Sequence, residues 1–85
     1  MKFRFRARAL DQMERRGLDR AQIERVLDSP GQIVVQRSGR EAFQSKVHFD
    51  GREYLVRAIV DRRLDPPAVV TAYRTRYIAK YWRQE

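Results

Sequence analysis

Apolar residues recur at helical spacing in the first third of the chain, through the run ALDQMERRGLDRAQIERVLDSPG that begins at Ala9. Gly17 stands where a residue in the left-handed conformation commonly ends a helix, and Asp19 is a favourable N-cap for a second helix. The pattern predicts two short amphipathic helices, roughly over residues 7–16 and 20–28. The brief connection between them predicts a helical hairpin.

From Ile33 onward the apolar pattern is typical of strands. One strand is predicted at QIVVQR, and two more lie in AFQSKVHFDGREYLVRAIVD, where Asp50-Gly51 is typical of a two-residue type I′ hairpin. The run AVVTAYRT, after the loop RRLDPP, predicts a fourth strand. We therefore expect a single domain over residues 1–85 with an α+β fold in the order ααββββ. The helical hairpin is expected to pack on one face of a four-stranded antiparallel sheet.

The predicted turn also sets the register of its two strands, because it places Phe49 opposite Arg52. One face then carries core pairs: Val47 with Tyr54, Ser45 with Val56 and Phe43 with Ala58. The other face carries polar and basic pairs: His48 with Glu53, Lys46 with Leu55 and Gln44 with Arg57. In the fourth strand we expect Val70 and Ala72 on one face, and Val69, Thr71, Tyr73 and Thr75 on the other. Two short helices cannot cover both faces, so the polar face is expected to lack helices.

Charge narrows the choice of partners. The chain carries 19 basic and 11 acidic residues, a net charge of +8, and only three of the basic residues are lysine. Arginine presents a planar fork that holds phosphate through paired hydrogen bonds and also stacks on rings. The composition therefore predicts an anionic partner, either nucleic acid or an acidic protein.

The same composition argues against metal and membrane chemistry. The chain has no cysteine and one histidine, which excludes disulfides and thiolate metal sites and disfavours a histidine-based site. We expect neither a metal nor another cofactor. No apolar run is long enough to cross a bilayer, and arginines interrupt the N-terminal run MKFRFRARAL, so we expect a cytoplasmic protein without a signal peptide.

The closing run TAYRTRYIAKYWRQE alternates aromatic and basic residues. Such an arrangement suits single-stranded RNA, because rings stack on bases while cations hold phosphates. We expect Ile78 and Trp82 to belong mainly to the core, with this run packing back on the helices. Its exposed basic residues, Arg74, Arg76 and Lys80, are then the RNA-facing ones. Tyr81 fits either role.

The runs ALDQMERRGL, DGREYLVRAIVD and VTAYRTRYIAKYW together resemble the small bacterial domains of unknown function of family DUF4258, which is grouped with the RelE-like and barnase-like (BECR) ribonuclease toxins. The resemblance extends from about Phe5 to Trp82, and its closing run is the most specific part. It implies a helical hairpin followed by a curved antiparallel sheet. It also implies a metal-independent endoribonuclease acting as a toxin, often paired with a small acidic antitoxin protein.

One departure from the family pattern concerns the first helix. The family commonly reads F-x-x-H-A-x-x-R-M where this chain reads FRARALDQM, so that Arg8 replaces a histidine and Gln12 an arginine. Arginine stays protonated at any working pH and cannot exchange protons. Either the activity is lost or other groups carry it, as in RelE-like enzymes that use arginine, lysine and tyrosine.

The candidate catalytic residues are Arg57, His48, Lys46, Tyr73 and Lys80. In this hypothesis the ribose 2′-hydroxyl attacks the adjacent phosphorus and leaves a 2′,3′-cyclic phosphate. His48 or Lys46 assists deprotonation, Arg57 with Arg8 or Arg74 neutralises the phosphorane, and Tyr73 or Lys80 protonates the leaving oxygen. The candidate RNA-binding residues are Arg8, Arg16, Thr71, Arg74, Arg76 and Tyr81.

Structural alternatives stand beside each role. Arg57 could instead form a salt bridge with Glu41 or Glu53, and His48 could be a surface pair with Glu53. The RNA could be free or ribosome-bound mRNA. The rival functions are a non-catalytic RNA-binding or regulatory module marked by Arg8, and a domain whose positive charge serves only to hold an acidic protein.

Overall fold

The computed structural model describes residues 2–84, and the two predicted helices are present in it. Helix α1 spans Ala7–Arg15 and helix α2 spans Arg20–Asp28. Asp19 caps α2 as expected, since its side chain accepts a hydrogen bond of 3.0 Å from the Ala21 N–H. The helices do not pack chiefly on each other as a hairpin: α1 lies against the last strand, and α2 lies over the two central ones.

The sheet has five strands rather than the predicted four: β1 (Arg4–Phe5), β2 (Gln32–Val35), β3 (Glu41–Phe49), β4 (Arg52–Asp61) and β5 (Ala68–Thr75). Their order across the sheet is β1-β5-β4-β3-β2. The extra strand, β1, runs parallel to β5, which makes the sheet mixed rather than antiparallel. A two-residue strand carries no detectable alternation, so the pattern of apolar positions could not predict it.

The predicted β3–β4 hairpin is confirmed in type and register. Phe49 pairs with Arg52, and Gln44 pairs with Arg57. Asp50 and Gly51 have φ values of 49° and 76°, the positive pair that a type I′ turn requires. Local turn chemistry was therefore sufficient to place every side chain of this ribbon on its correct face.

The predicted faces of β5 were correct from Thr71 onward and wrong at Val69 and Val70. A bulge interrupts the β4–β5 pairing, because Ile59 pairs with Thr71 while the next residue, Val60, pairs with Val69. Val70 is the extra residue, and it faces the side opposite to Val69. Val69 therefore joins the main core, which the strict alternation assumed from the sequence could not predict.

The two faces of the sheet are called here the helix side and the tail side. The helix side holds the main core, in which α1 and α2 cover apolar residues of β3, β4 and β5: Phe43, Val56, Ala58, Val60, Val69 and Ala72. The tail side carries a smaller apolar cluster of Ala42, Ile59 and Val70, against which Tyr73 packs. No helix within residues 2–84 has the length and apolarity that crossing a bilayer requires.

The closing segment, residues 76–84, was expected to pack on the helices. It lies instead on the tail side. It contains the short helix α3 (Ile78–Tyr81). Trp82 packs so closely over Gly31 that a β-carbon there would lie 2.9 Å from the indole ring. Trp82 and Ile78 are only half-buried, and neither belongs to the main core. The polar face predicted to lack helices is therefore covered in part by this segment.

Candidate nucleic-acid interface

Arg57 lies at the centre of the tail side. It is in the middle of β4, between Gln44 of β3 and Tyr73 of β5, and only 4% of it is exposed. Its Nε donates to Gln44 Oε1 at 2.8 Å, and its Nη1 donates to the Tyr73 hydroxyl at 2.5 Å. The two acceptors are an amide oxygen and a hydroxyl, so neither supplies a negative charge to balance that of the guanidinium.

Neither glutamate proposed as a salt-bridge partner reaches Arg57. Glu41 instead pairs with Arg62 at 2.6 Å, and no carboxylate among residues 2–84 lies within 4.0 Å of the Arg57 nitrogens. Burying a guanidinium without a counter-ion is costly, and neutral acceptors offset that cost only in part. Nη2 makes no hydrogen bond within the described residues, which leaves donors available to an anion.

The closing segment supplies a ring above Arg57. The Tyr81 ring lies 4.2 Å from the Arg57 guanidinium carbon, the distance of a cation–π contact, and it meets the Tyr73 ring edge to face at 6.3 Å. Tyr73 and Tyr81 therefore orient the guanidinium from two directions. Both residues were predicted as site residues, and the structure brings them together at Arg57.

Two buried or half-buried glutamines hold the closing segment in place. The side-chain amide of Gln32 forms two hydrogen bonds with the backbone of Arg83. Its Nε2 donates to the Arg83 carbonyl at 2.7 Å, and its Oε1 accepts from the Arg83 N–H at 3.0 Å. Gln44 Nε2 donates to Gln32 Oε1 at 2.9 Å and to the Tyr81 carbonyl at 3.2 Å. Gln44 thus links the closing segment directly to Arg57.

A basic cleft opens beside this cluster, and it is called here the Arg57 cleft. Its volume is about 480 Å³, and its lining residues are Val34, Val35, Gln36, Arg37, Arg57, Lys80, Tyr81, Trp82 and Arg83. Four of these are cations and none is acidic. Aromatic rings, arginines and a lysine around a polar cleft are the elements with which proteins bind single-stranded nucleic acid.

His48 and Lys46 lie on the same side but outside the cleft. His48 is exposed near the hairpin turn, four residues along β3 from Gln44, which is about 13 Å at the rise of a strand. Its pairing with Glu53 across the ribbon is the predicted one. Lys46 lies between Gln44 and His48 along β3, with its Nζ 4.5 Å from the centre of the Trp82 ring. Neither residue contacts Arg57.

Arg74 and Arg76 lie away from the Arg57 cleft. Arg74 pairs with Val56, next to the Arg57–Tyr73 pair, so its side chain points to the helix side, where it stacks on Phe49 at 4.7 Å. Arg76 is exposed beside it. The sheet therefore separates the Arg74 side chain from Arg57, and this geometry gives no support to the predicted joint role of the two residues in neutralising a phosphorane.

The remaining predicted residues cluster around α1 and β5. Arg16 Nη1 donates to the Ala72 carbonyl at 2.9 Å, and the Arg16 guanidinium carbon lies 5.9 Å from the centre of the Tyr73 ring. The Thr71 hydroxyl donates to Gln12 Oε1. Arg8 lines a second, separate cleft next to Thr71. The arginine that replaces the family histidine is thus on the tail side but outside the Arg57 cleft.

Asp61, at the end of β4, has a strongly perturbed pKa. Arg63 donates to both of its carboxylate oxygens, at 3.0 and 3.1 Å, and the Arg63 backbone N–H donates to Oδ1 at 3.0 Å. These hydrogen bonds lower the pKa of Asp61 to about 2 and raise the pKa of Arg63.

No group of three histidine, cysteine or acidic side chains that could hold a metal ion occurs within residues 2–84.

Gln32, Arg37 and Arg83 were missed at the sequence level, and Gln44 was placed on the polar face opposite Arg57 without being given a role. Gln44 had a usable signal, because the predicted register already placed it opposite Arg57, and a polar residue beside Phe43 in a central strand needs a partner. The other three had none. Arg83 reaches Gln32 across 51 positions of the chain, a contact that no local pattern encodes.

A comparison with protein families matches residues 5–74 to the family described as Domain of unknown function (DUF4258). The chain belongs to this family. The match ends at residue 74, before the closing segment that carries Lys80, Tyr81 and Arg83. Neither the curated proteins nor the solved structures include a match to this chain.

Proposed function

We propose that this DUF4258 protein binds single-stranded RNA and holds a backbone phosphate at Arg57. Arg57 carries the proposal: the residue is only 4% exposed and has no carboxylate partner in the described chain, and it lies beside a cleft lined by Arg37, Lys80 and Arg83. A phosphate supplies the negative charge that this position lacks. The half-buried Tyr81 ring next to it offers a stacking surface for a base.

RNA is favoured over a folded acidic protein by the shape of the site. The positive charges converge on one cleft that contains aromatic rings, and such rings stack on the unpaired bases of a single strand. Kinship with the RelE-like and barnase-like toxins belongs to the same proposal. The protein would then act on cytoplasmic RNA, including ribosome-bound mRNA, with a small acidic antitoxin as its protein partner.

Metal-independent cleavage is the second candidate, and the contact between Arg57 and the Tyr73 hydroxyl favours it. In that reaction a solvent base takes the proton of the 2′-hydroxyl, the 2′-oxygen bonds to phosphorus, the P–O5′ bond breaks, and Arg57 stabilises the charged phosphorane. Tyr73 or Lys80 transfers a proton to the leaving 5′-oxygen. The products are a 2′,3′-cyclic phosphate and a 5′-hydroxyl. We rank cleavage second because His48, the strongest candidate for the base, lies about 13 Å along β3 from Gln44, the strand neighbour of Arg57.

The test of RNA binding is fluorescence anisotropy with a labelled single-stranded oligonucleotide over a range of salt concentrations. Arg57→Gln is expected to weaken binding by about tenfold or more. Arg25→Gln is the matched control, because it removes the same charge from an exposed position on α2. Equal affinity of the two variants would overturn the proposal.

The test of cleavage uses end-labelled RNA in excess EDTA. Cleavage by the wild-type protein that Arg57→Gln and Tyr73→Phe both lose, with cyclic-phosphate ends, would establish the nuclease. Salt-dependent binding without cleavage would establish the non-catalytic module instead. Ends with a 3′-hydroxyl and a 5′-phosphate would contradict the 2′-hydroxyl mechanism.

A further inference from the structure

A second basic cleft lies on the tail side, at the opposite end from the hairpin turn. Its volume is about 320 Å³, and its lining residues are Arg6, Arg8, Gln12, Arg40, Val70 and Thr71. The three arginines come from two distant parts of the chain, the β1–α1 region and the start of β3. None of them forms an ion pair with a carboxylate of residues 2–84.

One neutral group of this cleft, the Gln12 side chain, keeps free donors. The Thr71 hydroxyl donates to Gln12 Oε1, which fixes the amide and leaves Gln12 Nε2 without a partner among the described residues. No acidic residue lines the cleft. Asp61 is close enough for Arg40 to contribute to its lowered pKa, but both of its oxygens are already bonded to Arg63. The donors therefore remain available for an external anion.

Thr71, which lines the second cleft, and Tyr73, which contacts Arg57, bring the two sites close together along β5. Thr71 and Tyr73 are alternate residues of β5 on the same side, paired with Ile59 and Arg57 respectively. Two residues along a strand span roughly 7 Å. Neighbouring phosphates of an extended single strand are separated by a comparable distance. The floor between the clefts is formed by Tyr73 and the apolar cluster of Ala42, Ile59 and Val70.

We infer that the cleft of Arg6, Arg8 and Arg40 is a second phosphate subsite, so that a single RNA strand crosses the tail side from Arg57 to Arg8. The identity of the ligand as RNA rests on the proposed function. The anion chemistry of the cleft does not depend on it. This subsite gives Arg8 a use that needs no proton transfer: it binds the next phosphate and takes no part in acid–base chemistry.

The test compares two double variants by anisotropy with a labelled single-stranded oligouridylate. Arg8→Gln/Arg40→Gln removes two charges from the second cleft. Arg25→Gln/Arg52→Gln removes two charges from exposed positions that line neither cleft. The first is expected to bind about tenfold more weakly than the second, and the slope of log affinity against log salt is expected to fall by about 0.7, the value for one phosphate contact on a single strand.

The outcomes separate the two proposals. If the double variants bind equally while Arg57→Gln loses affinity, the second subsite is wrong and the proposed function stands. If the wild-type protein does not bind RNA, the proposed function fails, and an NMR titration with inorganic pyrophosphate decides the subsite. Shifts at the Arg8, Arg40 and Thr71 amides that disappear in Arg8→Gln/Arg40→Gln would support an anion site. Their absence would overturn it.

Discussion

The two sides of the sheet use opposite chemistry to cover the same strands. On the helix side, α1 and α2 bury apolar residues such as Ile23 and Val56 completely. On the tail side, a short segment is held by the amides of Gln32 and Gln44 over a buried arginine. Apolar burial is non-directional and stabilises the fold, whereas a buried unpaired charge lowers stability and demands specific partners. The difference places stability on one side of the sheet and candidate function on the other.

The largest expected effect tests the helix side. Ile23→Ala is expected to destabilise the protein by about 2–5 kcal/mol, because it removes a fully buried side chain and leaves a cavity under α2. Ile33→Ala, at an edge-strand position that is 43% exposed, is expected to cost less than about 1 kcal/mol. Denaturant unfolding measures both. Similar losses in the two variants would contradict the assignment of stability to this side.

Release of the closing segment is expected to have a smaller effect. Gln32→Ala removes both hydrogen bonds to the Arg83 backbone and one from Gln44, a loss of about 1–2 kcal/mol that is confined to residues 76–84. Trp82 is the only tryptophan, so its fluorescence reports on this segment alone. In denaturant unfolding of Gln32→Ala, we expect the Trp82 emission to shift to the red at concentrations below the main unfolding transition. Gln36→Ala is the control, and the same shift there would refute the role of Gln32.

Replacement of Arg57 sharpens the contrast most directly. Arg57→Met removes the desolvated charge but leaves Gln44 Oε1 without its donor, and these opposing terms are expected to keep the stability within about 1 kcal/mol of wild type. Added phosphate is expected to raise the Tm of the wild-type protein but not that of Arg57→Met. A loss of about 3 kcal/mol on substitution, with no phosphate effect, would make Arg57 a structural residue.

The smallest expected effect depends on pH. The pKa of Asp61 is lowered from 3.8 to about 2 in the folded protein, so its contribution is present above the unfolded value and is lost as pH falls through the folded one. Asp61→Asn is therefore expected to lower the Tm slightly at neutral pH. The difference from wild type should shrink between about pH 4 and pH 2. A difference that stays constant over this range would show that the Arg63 contact does not stabilise the fold.

The parts of the fold that were predicted correctly depend on short-range interactions. The capping of α2 by Asp19 and the Asp50-Gly51 turn are set by neighbouring residues, and the turn then determined that Arg57 faces Gln44. The incorrect parts depend on distant pairing. The parallel partner of Phe5 lies in β5, and the bulge at Val70 shows no glycine or proline to mark it.

The candidate site was predicted in part for the same reason. Arg57, Tyr81 and Lys80 were expected as site residues and line one cleft, and Tyr73 contacts Arg57 there, whereas His48, Arg74 and Arg76 lie elsewhere. Strand alternation is enough to place Tyr73 beside Arg57. It cannot indicate that the Lys46 ammonium group contacts the Trp82 ring, because that contact depends on where the closing segment turns.

The sequence by itself determined the helices, the β3–β4 register, the positive charge and the placement of Arg57 on a polar face, since local spacing and composition encode all of these. Only the tertiary structure decided that residues 76–84 cross the tail side. That choice depends on amide hydrogen bonds between Gln32 and Arg83, residues far apart in the chain. These hydrogen bonds are directional and form only once the sheet has brought their partners together. The periodic spacing of apolar residues in the sequence therefore cannot predict them.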